Sequence, residues 1–351
     1  MISDIKRILI IKLGALGDVL RTTCILPGLK QKYKTSHISW LTDPSAKCLL
    51  KSNGLIDELL FCREGEALPS ALRSHFDLVI NLEDGLWACE LSSNVETSER
   101  IGAYSENSKR VYTRDSQIWF DMSLISRHGK TVADQLKRVN RRSYPSLLFE
   151  ILDIPSGRSS LMIPESERIV AFNFAKKHTL DSNLVIGLNT GSGSRWRYKQ
   201  LGEKETAQLI DRLTSHLKCK ILLLGGGAEV ERNARIREMA TSSVIETDYT
   251  HSPLEFAALI TLCDALISSD SLALHIATSL GVPVIAFFGP TSEAEIELFS
   301  GGAKISADIS CACCYKRNCN VTTTCMDLID IGQIEDSLTD LLKSSISSNH
   351  V

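Results

Sequence analysis

The sequence predicts an α/β protein built from two doubly wound, Rossmann-like domains facing a central cleft. Two observations lead there. Short apolar runs of strand length alternate with longer amphipathic stretches, the pattern of βα units laid around a parallel sheet. The pattern also starts twice, once near residue 7 and again near residue 184. A chain of 351 residues suits this division, because single domains commonly hold about 100–200 residues.

In the first half, strands are expected at "RILIIKL" (7–13), "HISWL" (37–41), "ELLFC" (58–62), "DLVINL" (77–82) and "RIGAY" (100–104). In the second half they are expected at "LVIGLNT" (184–190), "KILLLGG" (220–226), "SVIET" (243–247), "DALISSD" (264–270) and "PVIAFFG" (283–289). Residues 105–182 carry little strand signal and read as helical over 131–152 and 165–180. The segment "LDIPSGRSSLMIPES" (152–166), with its prolines and small polar residues, is the natural linker. It separates domain 1–160 from domain 161–351.

Composition excludes several classes. A net charge of −3 provides no general field for nucleic acid. The N-terminal run "ILIIKLG" falls well short of the ~20 apolar residues that span a bilayer, and no small-residue cleavage site follows it. The expected location is the cytoplasm, with contact to a membrane surface left open. Of eleven cysteines, Cys24, Cys48, Cys62, Cys89, Cys219 and Cys263 are scattered and read as small core hydrophobes. The other five crowd into 311–325.

Four stretches concentrate the chemistry. "IIKLGALGDV" (10–19) runs from a buried strand through Gly14 and Gly17 to Asp18 at a helix start, where a carboxylate can cap free N–H groups or face a ligand. Spacing alone favours the cap. "LNTGSGSRWRYKQLGE" (188–203) offers Thr190, Ser192, Ser194, two arginines and Lys199, which suits either a diphosphate or water. It lacks the Gly-Lys-Ser/Thr order of a P-loop. "LLLGGGAEVE" (222–231) is a strand, a glycine turn and an acidic helix start, in which Glu229 or Glu231 could accept from ribose hydroxyls or serve the helix dipole. "DALISSDSLALHIATSLG" (264–281) puts Asp270 and Ser271 at a strand-to-helix turn, with His275 one helical turn further on. A helix N-terminus is a natural phosphate seat; a lone histidine is more often core.

Taken in order, "IIKLGALGDVLRTTCILPGLK", "NTGSGSRWRYKQL" and "SSDSLALHIATSLGVPVIAFFGPTS" resemble the heptosyltransferase family, glycosyltransferase family 9, over nearly the whole chain. The resemblance implies a GT-B fold, with an acceptor-side first domain and a nucleotide-sugar-binding second domain. It implies a nucleotide-activated donor, commonly ADP-heptose, and inversion at the anomeric carbon without a metal ion or other catalytic cofactor. The acceptor would be a lipopolysaccharide inner core or related glycan, lipid-linked and met at the inner face of the inner membrane. Carried over by position, Asp18 becomes the general base, with Gly17 in the turn beside it. Lys199 becomes the donor-phosphate contact, although the family usually has Trp-Pro soon after it and this chain has "KQLGE". Thr190 and Ser192 or Ser194 supply the loop hydroxyls, Glu229 most resembles the ribose-binding acid, and Asp270, Ser271, Leu272 and His275 form the diphosphate seat. Leu272 departs from the pattern, since the family usually has glycine there.

The physics suits these roles. A carboxylate that takes the acceptor's proton contributes roughly 10²–10⁴-fold, and cations stabilise the departing diphosphate. Closure of the cleft would bring the two domains' contributions together.

In "CACCYKRNCNVTTTCM" the spacing of Cys311, Cys314, Cys319 and Cys325 can close a tetrahedral site around zinc or iron, or leave free thiols in a loop. In the autotransporter heptosyltransferases a similar cluster holds iron, which implies a structural site remote from transfer. On the acceptor side, Glu83, Asp84, Trp87, Arg100 and Lys109 follow a first-domain strand, either as ligand contacts or as an ordinary amphipathic surface. Rival functions are a transferase of the same fold with another sugar nucleotide or a protein acceptor, and a non-catalytic sugar-nucleotide-binding subunit. A dinucleotide oxidoreductase is disfavoured because neither glycine turn reads Gly-x-Gly-x-x-Gly.

Overall fold

Every apolar run expected as a strand forms one. In a computed structural model, which describes residues 5–348 without the side chains of 194, 195 and 345–348, the chain forms two units, one ending at Met162 and one beginning at Ile163.

The first unit holds β1 (Arg7–Ile11), α1 (Leu16–Thr22), α2 (Ile25–Lys32), β2 (His37–Thr42), β3 (Glu58–Phe61), β4 (Phe76–Asn81), α3 (Leu86–Asn94), β5 (Thr97–Glu106), β6 (Lys109–Tyr112), α4 (Gly129–Val139) and α5 (Tyr144–Ile151). Its sheet runs β3-β2-β1-β4-β5-β6, parallel except for the β5–β6 hairpin. Ile8, Leu9, Ile10 and Ile11 are fully buried, as a strand covered on both faces requires.

The second unit holds α6 (Glu165–His178), β7 (Val185–Asn189), α7 (Glu203–Leu217), β8 (Lys220–Leu224), α8 (Val230–Met239), β9 (Ile245–Glu246), α9 (Pro253–Ile260), β10 (Ala265–Ser269), α10 (Leu272–Leu280), β11 (Val284–Phe288), β12 (Gly302–Ser306) and α11 (Ile331–Ser348). Its sheet runs β12-β11-β10-β7-β8-β9 and is parallel throughout. Read from the first strand of each unit, the two orders are the same. The order reverses between β1 and β4 in one sheet and between β7 and β10 in the other, and doubly wound sheets bind ligands at such points.

The structure corrects two expectations about 105–182. The helix expected over 131–152 is two helices, because Ser143 caps α5 through the Ser146 N–H and Pro145 sits in its first turn, where no N–H is needed. The same region also contains β6, joined to β5 by Asn107 and Ser108, both at positive φ. Its strand is "KRVY", charged at its start and half-exposed at its end, so it carries no apolar alternation. β12 likewise carries no strand pattern in the sequence. It is an edge strand with one buried residue of five. Among the described residues no helix is long and apolar enough to cross a membrane.

Gly102 shows how tightly the first sheet is drawn together. It lies on β5 at φ +106, and a Cβ there would strike the Asn81 carbonyl oxygen on β4. Gly102→Ala is expected to cost about 1–3 kcal/mol, read as a lower urea midpoint. Gly54→Ala, with open space around its Cβ position, should stay within about 0.5 kcal/mol of wild type.

Candidate active site

In the second unit, polar side chains gather where the strand order reverses. Asn189, at the carboxyl end of β7, is buried and donates from Nδ2 to the Gly191 carbonyl (2.8 Å), Ser268 Oγ (3.1 Å) and Ser271 Oγ (3.2 Å). Ser268 Oγ–H is spent on the Ser269 carbonyl, so Ser271 donates in the 3.0 Å contact between the two serine hydroxyls. The turn after β7 is thereby stitched to the turn after β10. Ser271 precedes α10 but does not cap it with its side chain, so the first-turn N–H groups keep their partial positive charge for a ligand.

Asp270 stands beside this helix start. Its Oδ2 accepts from Lys199 Nζ at 2.7 Å, and Lys199 also reaches the Asp270 carbonyl at 3.1 Å. His275 Nε2 lies 3.7 Å from the other carboxylate oxygen. Burial alone would raise the Asp270 pKa, but hydrogen bonding to His275 and the Lys199 charge hold it far below the usual carboxylate range. Lys199 also lies over the Trp196 ring, 4.9 Å from its centroid. Ser192 donates to the Trp196 carbonyl at 2.6 Å and so folds the loop that carries Lys199. The Ser194 side chain lies outside the described residues. Leu272 occupies the first position of α10 and is half-buried.

A second cluster lies at the ends of β7 and β8. Thr190 Oγ1 donates to buried Asn233 Oδ1 at 2.5 Å. Glu229, 7% exposed, accepts from the Gly226 N–H at 2.9 Å. A Cβ on Gly191 would come within 2.7 Å of the Glu229 carboxyl carbon. Glu229 therefore braces two glycine turns against each other, and only glycine allows the approach.

The first unit repeats the arrangement at its own reversal. Glu83, following β4, accepts through one oxygen from Lys12 Nζ (2.8 Å), the Leu13 N–H (2.7 Å) and the Gly14 N–H (3.2 Å). Burial would lower the Lys12 pKa, but the Glu83 and Asp18 carboxylates more than offset it and the net shift is upward. Buried Gly17 lies on α1. Asp18, in the first turn of α1, forms no cap; its carboxylate pairs with Arg21 at 2.8 Å and is 37% exposed. The Arg21 guanidinium in turn stacks 4.1 Å from the centroid of the Tyr144 ring. Thr22 Oγ1 gives its proton to the Asp18 carbonyl, so the buried Tyr144 hydroxyl donates to Thr22 at 3.0 Å. Asp18 is thus an accessible carboxylate on a rigid base.

A family model described as glycosyltransferase family 9 (heptosyltransferase) matches residues 66–324. The chain belongs to glycosyltransferase family 9. A curated relative, lipopolysaccharide heptosyltransferase 1 of Campylobacter coli, is 22% identical over 312 residues, covering 81% of this chain and 84% of its own. Among solved structures, a family 9 glycosyltransferase from Veillonella parvula superposes with a TM-score of 0.77 at 22% identity, covering 97% of this chain and 98% of that one. The E. coli ADP-heptose LPS heptosyltransferase II superposes with a TM-score of 0.65 at 16% identity, covering 97% and 99%. These likenesses show the GT-B fold, and the family makes the chain a glycosyltransferase.

Within this family 9 chain, the acceptor-side candidates take the following places. Arg100 donates to the Ser92 and Val95 carbonyls and so closes the C-terminus of α3, and Trp87 packs on the core beneath β4. Lys109 is exposed on β6. The cysteine segment is not remote from the Lys199 loop. Cys311, Cys314, Cys319 and Cys325 line one cavity of about 110 Å³ together with Tyr198 and Pro290. Among the described residues, no three His, Cys, Asp or Glu side chains are already close enough to hold an ion. Burial and the neighbouring thiols push the Cys325 thiol up to about 11. Lys12, Asn189, Asn233 and Ser268 were not foreseen as site residues. For Lys12, Asn189 and Ser268 the one signal in the sequence is a polar side chain at the end of an apolar strand, and Asn233, inside α8, carries none.

Asp270→Asn would leave Lys199 buried without its counter-charge, an expected loss of about 3–5 kcal/mol seen as a lower denaturant midpoint. Because the native pKa of Asp270 lies below the unfolded value of about 3.9, its contribution is present above that value. It falls away as pH drops towards the native pKa, so the gap between wild type and Asp270→Asn should narrow in acid.

Proposed function

We propose that the chain transfers heptose from ADP-heptose to a lipopolysaccharide inner-core or related glycan acceptor, inverting the anomeric carbon without a catalytic metal. The observation that carries this reading is the Lys199–Asp270–His275 cluster at the uncapped start of α10. It is a seat for two phosphates built from one cation and a row of backbone N–H groups. The names of the relatives, one of them an ADP-heptose enzyme, support the donor.

In the proposed reaction the acceptor hydroxyl oxygen forms a bond to the anomeric carbon from the face opposite the nucleotide. Its proton passes to the Asp18 carboxylate. The bond from the anomeric carbon to the β-phosphate oxygen breaks, and the electron pair leaves with ADP. Charge that grows on that oxygen is met by Lys199 and the N–H groups of Leu272 and Ala273, which act electrostatically and need no divalent ion. Leu272 contributes its backbone here and leaves room for ligand through its half-exposed position. Glu229 and Thr190 line the side on which ribose would lie.

We further propose that Cys311, Cys314, Cys319 and Cys325 hold a structural zinc or iron ion. Four thiols around one cavity suit either metal, and a closed four-ligand site supplies a cross-link rather than chemistry. The reaction is placed in the cytoplasm at the inner face of the membrane. Lys130, Lys137 and Arg138 on α4, with exposed Val132 and Val139, suit such a surface.

Asp18→Asn should lower the rate constant for transfer by at least about 10²-fold while ADP affinity, measured by calorimetry, stays within about twofold. Unchanged turnover would remove Asp18 from the role of base, and ADP-heptose binding without transfer to any glycan acceptor would favour a binding subunit. Protein purified without added metal should contain about one zinc or iron per chain by elemental analysis, and Cys319→Ser should contain far less.

A further inference from the structure

The cysteine segment is fastened to the end of β11 by its backbone. The Cys313 N–H donates to the Gly289 carbonyl at 2.9 Å and the Tyr315 N–H to the Pro290 carbonyl at 2.8 Å. Both residues take left-handed backbone conformations, with φ of +57 and +51, which cost a non-glycine residue roughly 1–2 kcal/mol each. The surrounding bonds therefore impose this path on the chain. Gly289 has no side chain, and the Cys325 Sγ and Met326 Cε atoms occupy the space that a Cβ would need.

From this path the Tyr315 side chain returns towards the diphosphate seat. Its hydroxyl accepts from the Ser292 N–H at 3.2 Å. Burial, and after it the nearby Glu295 and Asp270 carboxylates, keep the phenol protonated well above its ordinary range. Next to Ser292, the buried Thr291 hydroxyl has no hydrogen-bond partner in the protein, a cost of about 1–3 kcal/mol unless a ligand supplies one. On its other side the thiol cavity is lined by Tyr198, whose neighbour Lys199 pairs with Asp270. The segment is thus bonded to the turn that follows β11 and shares a cavity with the loop that carries Lys199.

We propose that segment 311–325 is a strut for the diphosphate seat, anchored at its four-thiol end, and that Tyr315 is the positioning residue that fixes the turn at Ser292, which follows the strand paired with the one that leads to Asp270. Tyr315 touches no reacting atom on this reading; it acts through the turn it holds. The inference rests on the reading that a nucleoside diphosphate binds the second unit. It makes the state of the cysteines a determinant of donor affinity.

The test compares ADP with adenosine, the same nucleoside without phosphates, on the full chain carrying its metal, by calorimetry and competition. Tyr315→Phe keeps the ring and removes the acceptor for Ser292. It should weaken ADP about five- to tenfold, the loss of one hydrogen bond, while adenosine affinity and metal content stay at wild-type values. Cys319→Ser, which cuts the anchor, should show the same selective loss. ADP binding at wild-type strength in folded Tyr315→Phe overturns the strut, as does equal weakening of ADP and adenosine. A wild type that prefers another nucleoside diphosphate overturns only the choice of ADP, and the same comparison with that diphosphate and its nucleoside then decides the strut. A wild type that binds none of ADP, GDP, UDP and CDP overturns both readings.

Discussion

Each sheet reverses its strand order once, and at that point two neighbouring strands send their connections to opposite faces. The gap leaves backbone N–H and C=O groups at the strand ends without ladder partners, and they must be satisfied by something else. This chain meets the demand with polar side chains reaching across the gap. In the first unit one Glu83 oxygen gathers Lys12 and two backbone N–H groups. In the second, Asn189 binds the carbonyl of its own turn and two serines of the next. Asp18 and the Asp270 cluster stand where they do because these clamps fix the turns that carry them.

The two reversals are solved with different chemistry, and the difference fits their proposed tasks. The Lys12–Glu83 pair is charged and lies under a glycine turn whose neighbouring carboxylate, Asp18, stays accessible. The Asn189–Ser268–Ser271 net is neutral. Neutral donors add no charge of their own at the start of α10, so the field there is set by the helix and by the Lys199–Asp270 pair.

Much of the fold was legible because buried parallel strands leave continuous apolar runs, and every such run became a strand. What escaped was structure without that signal. β6 and β12 are edge strands with mostly exposed side chains, and the break between α4 and α5 depends on Ser143 and Pro145 inside a stretch of helical period. For the site, the glycine turns and the run around Asp270 point to strand ends at which polar side chains gather. The partners did not show, because Asn189 meets Ser268 across 79 residues and no local pattern encodes that contact. Arg100, on β5, shows the same blindness: its donation to the Ser92 and Val95 carbonyls at the end of α3 has no local pattern in the sequence.

The scattered cysteines have a practical consequence of their own. Burial raises the thiol pKa of Cys24 and Cys263 beyond the usual range and moves Cys89 and Cys219 up to about 11, so at neutral pH these sulfurs are protonated and enclosed. Thiolate is the form that reacts with electrophiles. Cys48, Cys311, Cys313, Cys314 and Cys319 are only partly buried, so an alkylating dye applied to the folded, metal-free protein would collect mainly on segment 311–325, with Cys48 the one partly buried thiol elsewhere. Four of the five partly buried sulfurs then present reagents with a single address.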